Sequence, residues 1–215
     1  YENPDKAYDL DGFVNSAGAA EGLELYKELY DTATPPGSSN WYMGENIDAY
    51  RSGQVAMQMN FAFIWPGVEA DENVGGGKSG YFPNPAGPAG QYAQLGGQGI
   101  SVVAYSEKQD AALEYLQWFA KPEVQAKWWE LGGYSALRAV VEDPGFATSQ
   151  PYAQTFLDSM AIVKDFWAEP AYADLLIPMQ ERMHNYVIAG KGTAQEALDG
   201  LVRDWTEVFE DEGKL

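Results

Sequence analysis

Two short segments of the chain place aromatic side chains beside residues that favour turns. SSNWYMGEN and NFAFIWPG together contain Trp41, Tyr42, Asn60, Phe61, Phe63 and Trp65. An aromatic face is an apolar platform for the C–H face of a sugar ring, and amide or guanidinium groups can hydrogen-bond the sugar hydroxyls. Because loop positions often carry function, these six residues are predicted to bind a ligand. For Phe61 and Phe63, the alternative is ordinary core packing.

A glycine-rich segment, QLGGQG, invites comparison with phosphate-binding loops. Such loops place their glycines after a strand and directly before a helix, so that helix amide groups face the phosphate. Here Gly96, Gly97 and Gly99 precede the apolar run 100–104, which is predicted to be a short buried strand, and no lysine follows to meet a phosphate. The order argues against a nucleotide site. We expect the glycines to let the backbone pass close to a neighbouring group.

Catalytic and metal-binding patterns are sparse. The single histidine, His184, follows Glu181 by three positions, which is one half of a di-iron motif without its second copy, so it is predicted to be an ordinary helix histidine. Asp9, Asp11 and Gly12 resemble part of a calcium loop, but Ala7 occupies the first ligand position. There is no G-x-S-x-G segment to present a nucleophilic serine. We therefore predict no catalytic residue, metal site or cofactor.

The composition narrows the class of partner. The 215 residues include 32 Asp and Glu against 13 Lys and Arg, for a net charge of -19. Such an acidic protein is not expected to bind nucleic acid or an anionic membrane. The chain has no cysteine, which excludes disulfides and thiol catalysis. No apolar run approaches the ~20 residues that span a bilayer, and no signal peptide is present, so an exported protein would be a mature or trimmed form.

Local signals predict helices alternating with short strands, an α/β architecture. Ser16 is a predicted helix cap, Pro122 opens a helix, and Thr193 with Glu196 forms a capping box for the last helix. Alternating apolar and polar residues over 55–61 predict a half-buried strand. The predicted ligand-binding segments lie between these elements.

The order of these segments resembles the C-terminal half of family 1 extracellular solute-binding proteins of ABC importers. The similarity covers nearly the whole chain. The segments that carry it are VNSAGAAEGLELYKELYD, then PPGSSNWYMGENIDAYRSGQVAMQMNFAFIWPG, then LGGQGISVVAYSEKQDAALEYLQWFAKPEVQAKWWELGGYSALRAVVEDP, and finally AGKGTAQEALD.

The resemblance implies a periplasmic or extracytoplasmic protein with two α/β lobes that hold a small solute, most often a sugar or oligosaccharide, in a cleft and deliver it to a membrane permease. Residues 1–97 and 134–215 would form the helix-rich C-terminal lobe. Residues 98–133 would be a strand and helices that cross over to complete the N-terminal lobe. Members of the family are about twice as long as this chain, and they are not enzymes.

The resemblance also implies roles for particular residues. Phe61 or Trp65 would stack on the ligand, Gly97 and Gln98 would line the cleft, and the GGYSALR segment would contribute Tyr134 and Arg138. Family members often have Trp at the positions of Gln98 and Phe61. The ligand is therefore expected to be smaller than a typical disaccharide or differently shaped.

Two other functions and one assembly remain open from the sequence. A carbohydrate-active enzyme would need a positioned acid and base, and an interaction module would use the loop aromatics to bind protein. Apolar faces in the 98–133 segment would be left uncovered in a half-length chain. They would favour a homodimer or a repositioned segment. Their residues are Ile100, Val102, Leu116, Phe119 and Trp128.

Overall fold

The computed structural model describes residues 8–165 and 167–215. Residues 1–7, which begin the predicted first part of the C-terminal lobe, and residue 166 lie outside the described residues. The chain forms two compact units. The first unit contains residues 1–42 and 167–215, and the second unit contains residues 43–166. The predicted lobe division at residues 97 and 133 stays a prediction.

Helices account for most of the regular structure in the described residues. The helices are α1 (Ala17–Ala33), α2 (Met43–Arg51), α3 (Trp65–Glu69), α4 (Gln109–Phe119), α5 (Pro122–Glu130), α6 (Arg138–Val141), α7 (Ala153–Met160), α8 (Tyr172–Val187) and α9 (Ala194–Asp211). Short 3₁₀ turns span Ser38–Asn40, Ala62–Ile64 and Phe146–Thr148. Two short parallel strands, β1 (Ala93–Gln94) and β2 (Val163–Lys164), pair Ala93 with Val163 and Gln94 with Lys164.

The first unit is built from α1, α8 and α9. Ser16 caps α1 by accepting a hydrogen bond from the Ala19 N–H, and Thr193 with Glu196 forms the complete capping box of α9, as predicted. Leu23 of α1 is buried in a cluster with residues of α8 and α9. Because their apolar faces meet in one core, the three helices stabilise one another.

A second core of the first unit lies near the end of the chain. Phe209 and Leu175 are fully buried together, and the Trp205 indole N–H donates to the Leu175 carbonyl at 2.8 Å. The burial of each such side chain contributes about 1.5–3 kcal/mol to folding. His184 on α8 is exposed, which agrees with its predicted role as an ordinary helix residue.

The second unit has an aromatic core. Trp129 of α5 stacks on Phe146 at a centroid distance of 4.3 Å, and its indole N–H donates to the Ser149 hydroxyl at 2.8 Å. Val140, Tyr152 and Ala153 complete the buried cluster. Pro122 begins α5, as predicted, because a proline is tolerated where a helix has no amide partner to lose.

Two predicted strands are absent from the second unit. Residues 55–61 and 100–104 form irregular chain, and Ile100 is 57% exposed. Strand-like periodicity indicates which side chains would be buried, but a strand forms only where a neighbouring strand receives its backbone hydrogen bonds. Within the described residues, the only strands are β1 and β2, and neither pairs with these segments. Both strand predictions are therefore wrong for this structure.

In the described part of the chain, no helix combines the length and the apolar character needed to cross a membrane.

Candidate functional site

The NFAFIWPG segment forms a tight turn that exposes two phenylalanine rings. Phe61 precedes the 3₁₀ turn Ala62–Ile64, which continues directly into α3. Ile64 and Val68 are buried and anchor the segment. Phe61 is 46% exposed and Phe63 is 52% exposed. We call these two rings the aromatic platform, since they lie at the surface on either side of Ala62.

Three interactions fix the backbone around the aromatic platform. The side-chain oxygen of Asn60 accepts a hydrogen bond from the Phe61 N–H at 2.9 Å. The Ala62 carbonyl accepts hydrogen bonds from the Trp65 N–H and, at 2.7 Å, from the Tyr134 hydroxyl. The turn is therefore held from within and from a segment distant in sequence.

Trp65, also predicted to stack on a ligand, packs mainly against aromatic neighbours. Its ring centroid lies 5.4 Å from that of Tyr81 and 5.7 Å from that of Tyr152. The Trp65 side chain is half-buried in the core of the second unit. Its role as a ligand residue stays a prediction, whereas its contribution to packing is visible.

Tyrosines beneath the aromatic platform have perturbed acid–base properties. Burial raises the pKa of Tyr134 well above its usual range. Burial also raises the pKa of Tyr81, aided by the hydrogen bond that its hydroxyl donates to Glu69 at 2.7 Å. The pKa of Tyr152 is raised by burial and by the charge of Glu69. These hydroxyls stay protonated at neutral pH, and those of Tyr81 and Tyr134 serve as hydrogen-bond donors.

The glycine-rich segment lies beside the aromatic platform. A β-carbon on Gly96 would be 3.2 Å from Phe61 Cδ1. Gly96, Gly97 and Gln98 are all exposed. Close passage of backbone past a neighbour was expected of this segment, and for Gly96 that neighbour is the Phe61 ring. The predicted ligand contacts of Gly97 and Gln98 stay predictions.

Arg138 begins α6 and has a largely solvated side chain. Its Nη1 lies 3.7 Å from Glu142 Oε1, and the two side chains are 88% and 66% exposed. An ion pair between two such solvent-exposed side chains is weak, so the guanidinium remains accessible to a ligand.

Trp41 and Tyr42 lie in the first unit, whereas the other predicted site residues lie in the second. Trp41 is half-buried, and its backbone N–H donates to the Ser38 carbonyl at 3.0 Å. Tyr42 is 80% exposed. Their roles as ligand residues stay predictions.

Sequence reasoning missed a buried polar chain behind Tyr134. Ser135 donates from its hydroxyl to Gln125 Oε1 at 2.8 Å, and Gln125 Nε2 donates to the Phe119 carbonyl at 2.8 Å. The Ser135 hydroxyl also accepts from the Leu137 N–H at 3.1 Å. These hydrogen bonds tie the end of α4 and the first turn of α5 to the GGYSALR segment. The polar character of Gln125 on a helix that otherwise packs apolar residues was the only available signal.

A metal role finds no support in the described residues. Within 8–165 and 167–215, no three histidine or carboxylate side chains come close enough to share a metal ion.

Several solved structures share this fold. Maltose-bound MalE3 of T. maritima is 21% identical with a TM-score of 0.79, and the match covers 91% of this chain and 51% of that one. The sugar-binding protein MalE of the phytopathogen Xanthomonas citri is 20% identical with a TM-score of 0.73, and the match covers 96% of this chain and 52% of that one. A cyclo/maltodextrin-binding protein complexed with maltotetraose is 20% identical with a TM-score of 0.68, and the match covers 92% of this chain and 50% of that one. The chain thus spans about half the length of these structures, and the predicted helix-rich α/β fold is confirmed.

The sequence itself matches a family model. The model describes bacterial extracellular solute-binding proteins and matches residues 2–155. This range includes the aromatic platform, the glycine-rich segment and the GGYSALR segment, which carried the resemblance in the sequence. Because the match extends over well more than half of the chain, this protein belongs to the bacterial extracellular solute-binding protein family.

Proposed function

We propose that this chain is part of a solute receptor that binds a sugar or oligosaccharide on the aromatic platform and delivers it to the permease of an ABC importer. The observation that carries the proposal is the pair of exposed rings, Phe61 and Phe63, on a turn whose backbone is fixed. Exposed aromatic rings on a rigid support offer contact area at little entropic cost. Sugar rings have apolar C–H faces that suit such a support.

The charge of the protein supports a neutral ligand. At -19 the chain repels anions at long range, so a phosphorylated or nucleic acid ligand is disfavoured. Arg138 supplies accessible donors, which hydrogen-bond vicinal hydroxyls without requiring a charged ligand. Two of the similar structures hold maltose and maltotetraose, which are the first ligands to test.

The receptor role implies binding without turnover at an extracytoplasmic location, which is periplasmic if the host cell has an outer membrane. The family consists of extracellular solute-binding proteins, which supports binding rather than catalysis. We further propose that Gly97 and Gln98 contribute to the ligand contacts.

The exposed apolar face of residues 98–133 fits a second proposal about assembly. Ile100, Trp118 and Trp128 are each more than two-fifths exposed. In the whole receptor we propose that this face packs against a second lobe; the matched structures are about twice as long as this chain. The 215-residue chain studied alone is then expected to form a homodimer through the same face, which light scattering would detect. A strict monomer would count against this proposal.

The experiment that tests the binding role is calorimetric titration with maltose and maltotetraose, beside amino acids and polyols. Phe61→Ala and Phe63→Ala should each weaken sugar binding by more than about 1 kcal/mol, the loss expected for a central aromatic contact. Phe82→Ala is the matched control, because Phe82 is also exposed in the second unit but lies outside the aromatic platform. Unchanged affinity in both platform variants would refute the proposed site. Release of shorter sugars from maltotetraose would instead favour a carbohydrate-active enzyme.

A further inference from the structure

The predicted ligand residue Tyr134 does not point its hydroxyl at solvent. That hydroxyl donates to the Ala62 carbonyl at 2.7 Å, across 72 positions of sequence. Ala62 is the residue between the two rings of the aromatic platform. A hydrogen bond at this carbonyl therefore acts on the peptide group that links Ala62 to Phe63, one residue after Phe61.

The Tyr134 ring is itself held by rigid neighbours. Its centroid lies 5.0 Å from that of Phe156 and 5.4 Å from that of Trp129. Trp129 is buried and fixed by its hydrogen bond to Ser149. Because interior side chains are close-packed, these contacts leave the Tyr134 hydroxyl little freedom to move. The donor thus has a defined position relative to the core of the second unit.

A second contact joins the same two segments. Gly132, two residues before Tyr134, lies so close to Pro66 that a β-carbon on Gly132 would be 2.8 Å from Pro66 Cβ. Pro66 follows the turn that carries the aromatic platform. The segment that follows α5 therefore contacts the platform segment at Ala62, between the two exposed rings, and at Pro66, after them.

We infer that Tyr134 is a positioning residue, whose hydroxyl holds the Ala62 peptide and thereby sets the orientation of Phe61 and Phe63 for the ligand. Tyr134 acts on the ligand through these rings rather than by direct hydrogen bonding. The inference rests on the proposed sugar-binding function for its effect on affinity. Its structural part, the fixing of the turn, is independent of any ligand.

The inference is consistent with the behaviour of the hydroxyl as a donor. Burial raises the pKa of Tyr134, so the group keeps its proton throughout the pH range in which binding would be measured. Both acceptor positions of the Ala62 carbonyl are also occupied, by the Trp65 N–H and by Tyr134. Loss of the tyrosine donor leaves the Ala62 carbonyl with the hydrogen bond from the Trp65 backbone N–H alone.

The test compares Tyr134→Phe with Tyr81→Phe. Each change removes one half-buried hydroxyl from the same aromatic cluster, but the Tyr81 hydroxyl donates to Glu69 rather than to the turn. Amide hydrogen exchange of residues 61–65 is measured in both variants without ligand, and maltose and maltotetraose affinities are measured by calorimetry. Tyr134→Phe should speed exchange in this segment and weaken sugar binding about fivefold, the effect of losing one neutral hydrogen bond. Tyr81→Phe should leave both readouts near those of the unmodified protein.

Each other outcome has a definite meaning. Unchanged exchange at residues 61–65 in Tyr134→Phe would overturn the positioning role. Faster exchange with unchanged sugar affinity would overturn the link between the turn and the ligand. Equal losses of sugar affinity in Tyr134→Phe and Tyr81→Phe would mean that general loosening of the aromatic cluster, and not the hydrogen bond to Ala62, controls binding. If the unmodified protein binds no sugar, the proposed function fails, while the exchange data still decide the role of Tyr134 in fixing the turn.

Discussion

The ring of Phe61 lies against the backbone of Gly96, where a β-carbon would be 3.2 Å from Phe61 Cδ1 and 3.3 Å from Cε1. Few real side chains approach this closely, so any residue larger than glycine must displace the ring. The relationship joins the two segments that the sequence singled out. It gives Gly96 a steric reason to be glycine.

The substitution Gly96→Val is therefore expected to reduce the free energy of maltose binding by more than it reduces the free energy of unfolding. The valine would push the Phe61 ring from its position, whereas both residues are exposed and contribute little to the core. Gly99→Val is the matched control, because no atom beyond its chain neighbours, among the described residues, would lie within 4 Å of a β-carbon there. Calorimetric titration of both variants tests the expectation. If the two variants bound maltose with equal affinity, the Phe61 ring would not be a ligand contact.

Arg138 offers a test of whether an exposed cation contacts the ligand. Its pairing with Glu142 is solvated, so Arg138→Lys should leave the melting temperature unchanged. Lysine cannot reproduce the five donors of the guanidinium, so sugar affinity should fall if Arg138 binds hydroxyl groups. Arg203→Lys, at an exposed position on α9, controls for the general effect of the exchange. Affinity equal to that of the unmodified protein would assign Arg138 a surface role only.

Helix ends were predictable from sequence because their signals are local. Ser16 and the Thr193–Glu196 box each satisfy backbone groups within three residues, and Pro122 needs only its own ring geometry. The irregular segments 55–61 and 100–104 were not predictable, since strand formation depends on partners elsewhere. For the same reason, nothing local in the sequence indicates that Tyr134 bonds Ala62.

The ion pair between Glu169 and Lys214 makes a prediction about pH. Burial alone would raise the pKa of Glu169, but the hydrogen bond from Lys214, the Ala171 N–H and the charge of Lys214 together lower it. The hydrogen bond to Glu169 raises the pKa of Lys214. Glu169 thus adds stability above its ordinary pKa of about 4.3 that is lost as the pH falls through the lowered value. Lys214 adds stability below its ordinary pKa of about 10.4 that is lost as the pH rises through the raised value.

Lys214→Met should accordingly lower the melting temperature most at neutral pH, because it leaves the buried Glu169 carboxylate without its cation. Below the lowered pKa of Glu169 the carboxyl is neutral in both proteins, and the difference should shrink. Lys191→Met, which removes an equal charge from an exposed position in the same unit, is the control. Melting curves by circular dichroism from pH 3 to pH 9 measure the difference. A deficit that did not vary with pH would point to lost packing by the lysine stem.

The contact between Trp128 and Gly133 supports a prediction about the end of α5. A β-carbon on Gly133 would lie 2.0 Å from Trp128 Cε2 and 2.2 Å from Nε1, well inside any allowed separation. Gly133→Ala must therefore move the indole or the backbone, at a cost of about 1–3 kcal/mol in the free energy of unfolding. Gly44→Ala on α2 is the control, because a β-carbon there meets no described atom within 4 Å beyond its own helix backbone and chain neighbours.

A double-mutant cycle isolates the cause of this loss. In a Trp128→Ala background the indole is gone, so adding Gly133→Ala should cost far less than it does when the tryptophan is present. Urea unfolding of the four proteins gives the coupling free energy directly. A cost for Gly133→Ala that is the same in both backgrounds would show that the glycine is needed for backbone geometry rather than for the close approach of Trp128. Gly132 has a φ of 92° and Gly133 has no positive φ, so backbone strain is expected at Gly132 and a steric clash at Gly133.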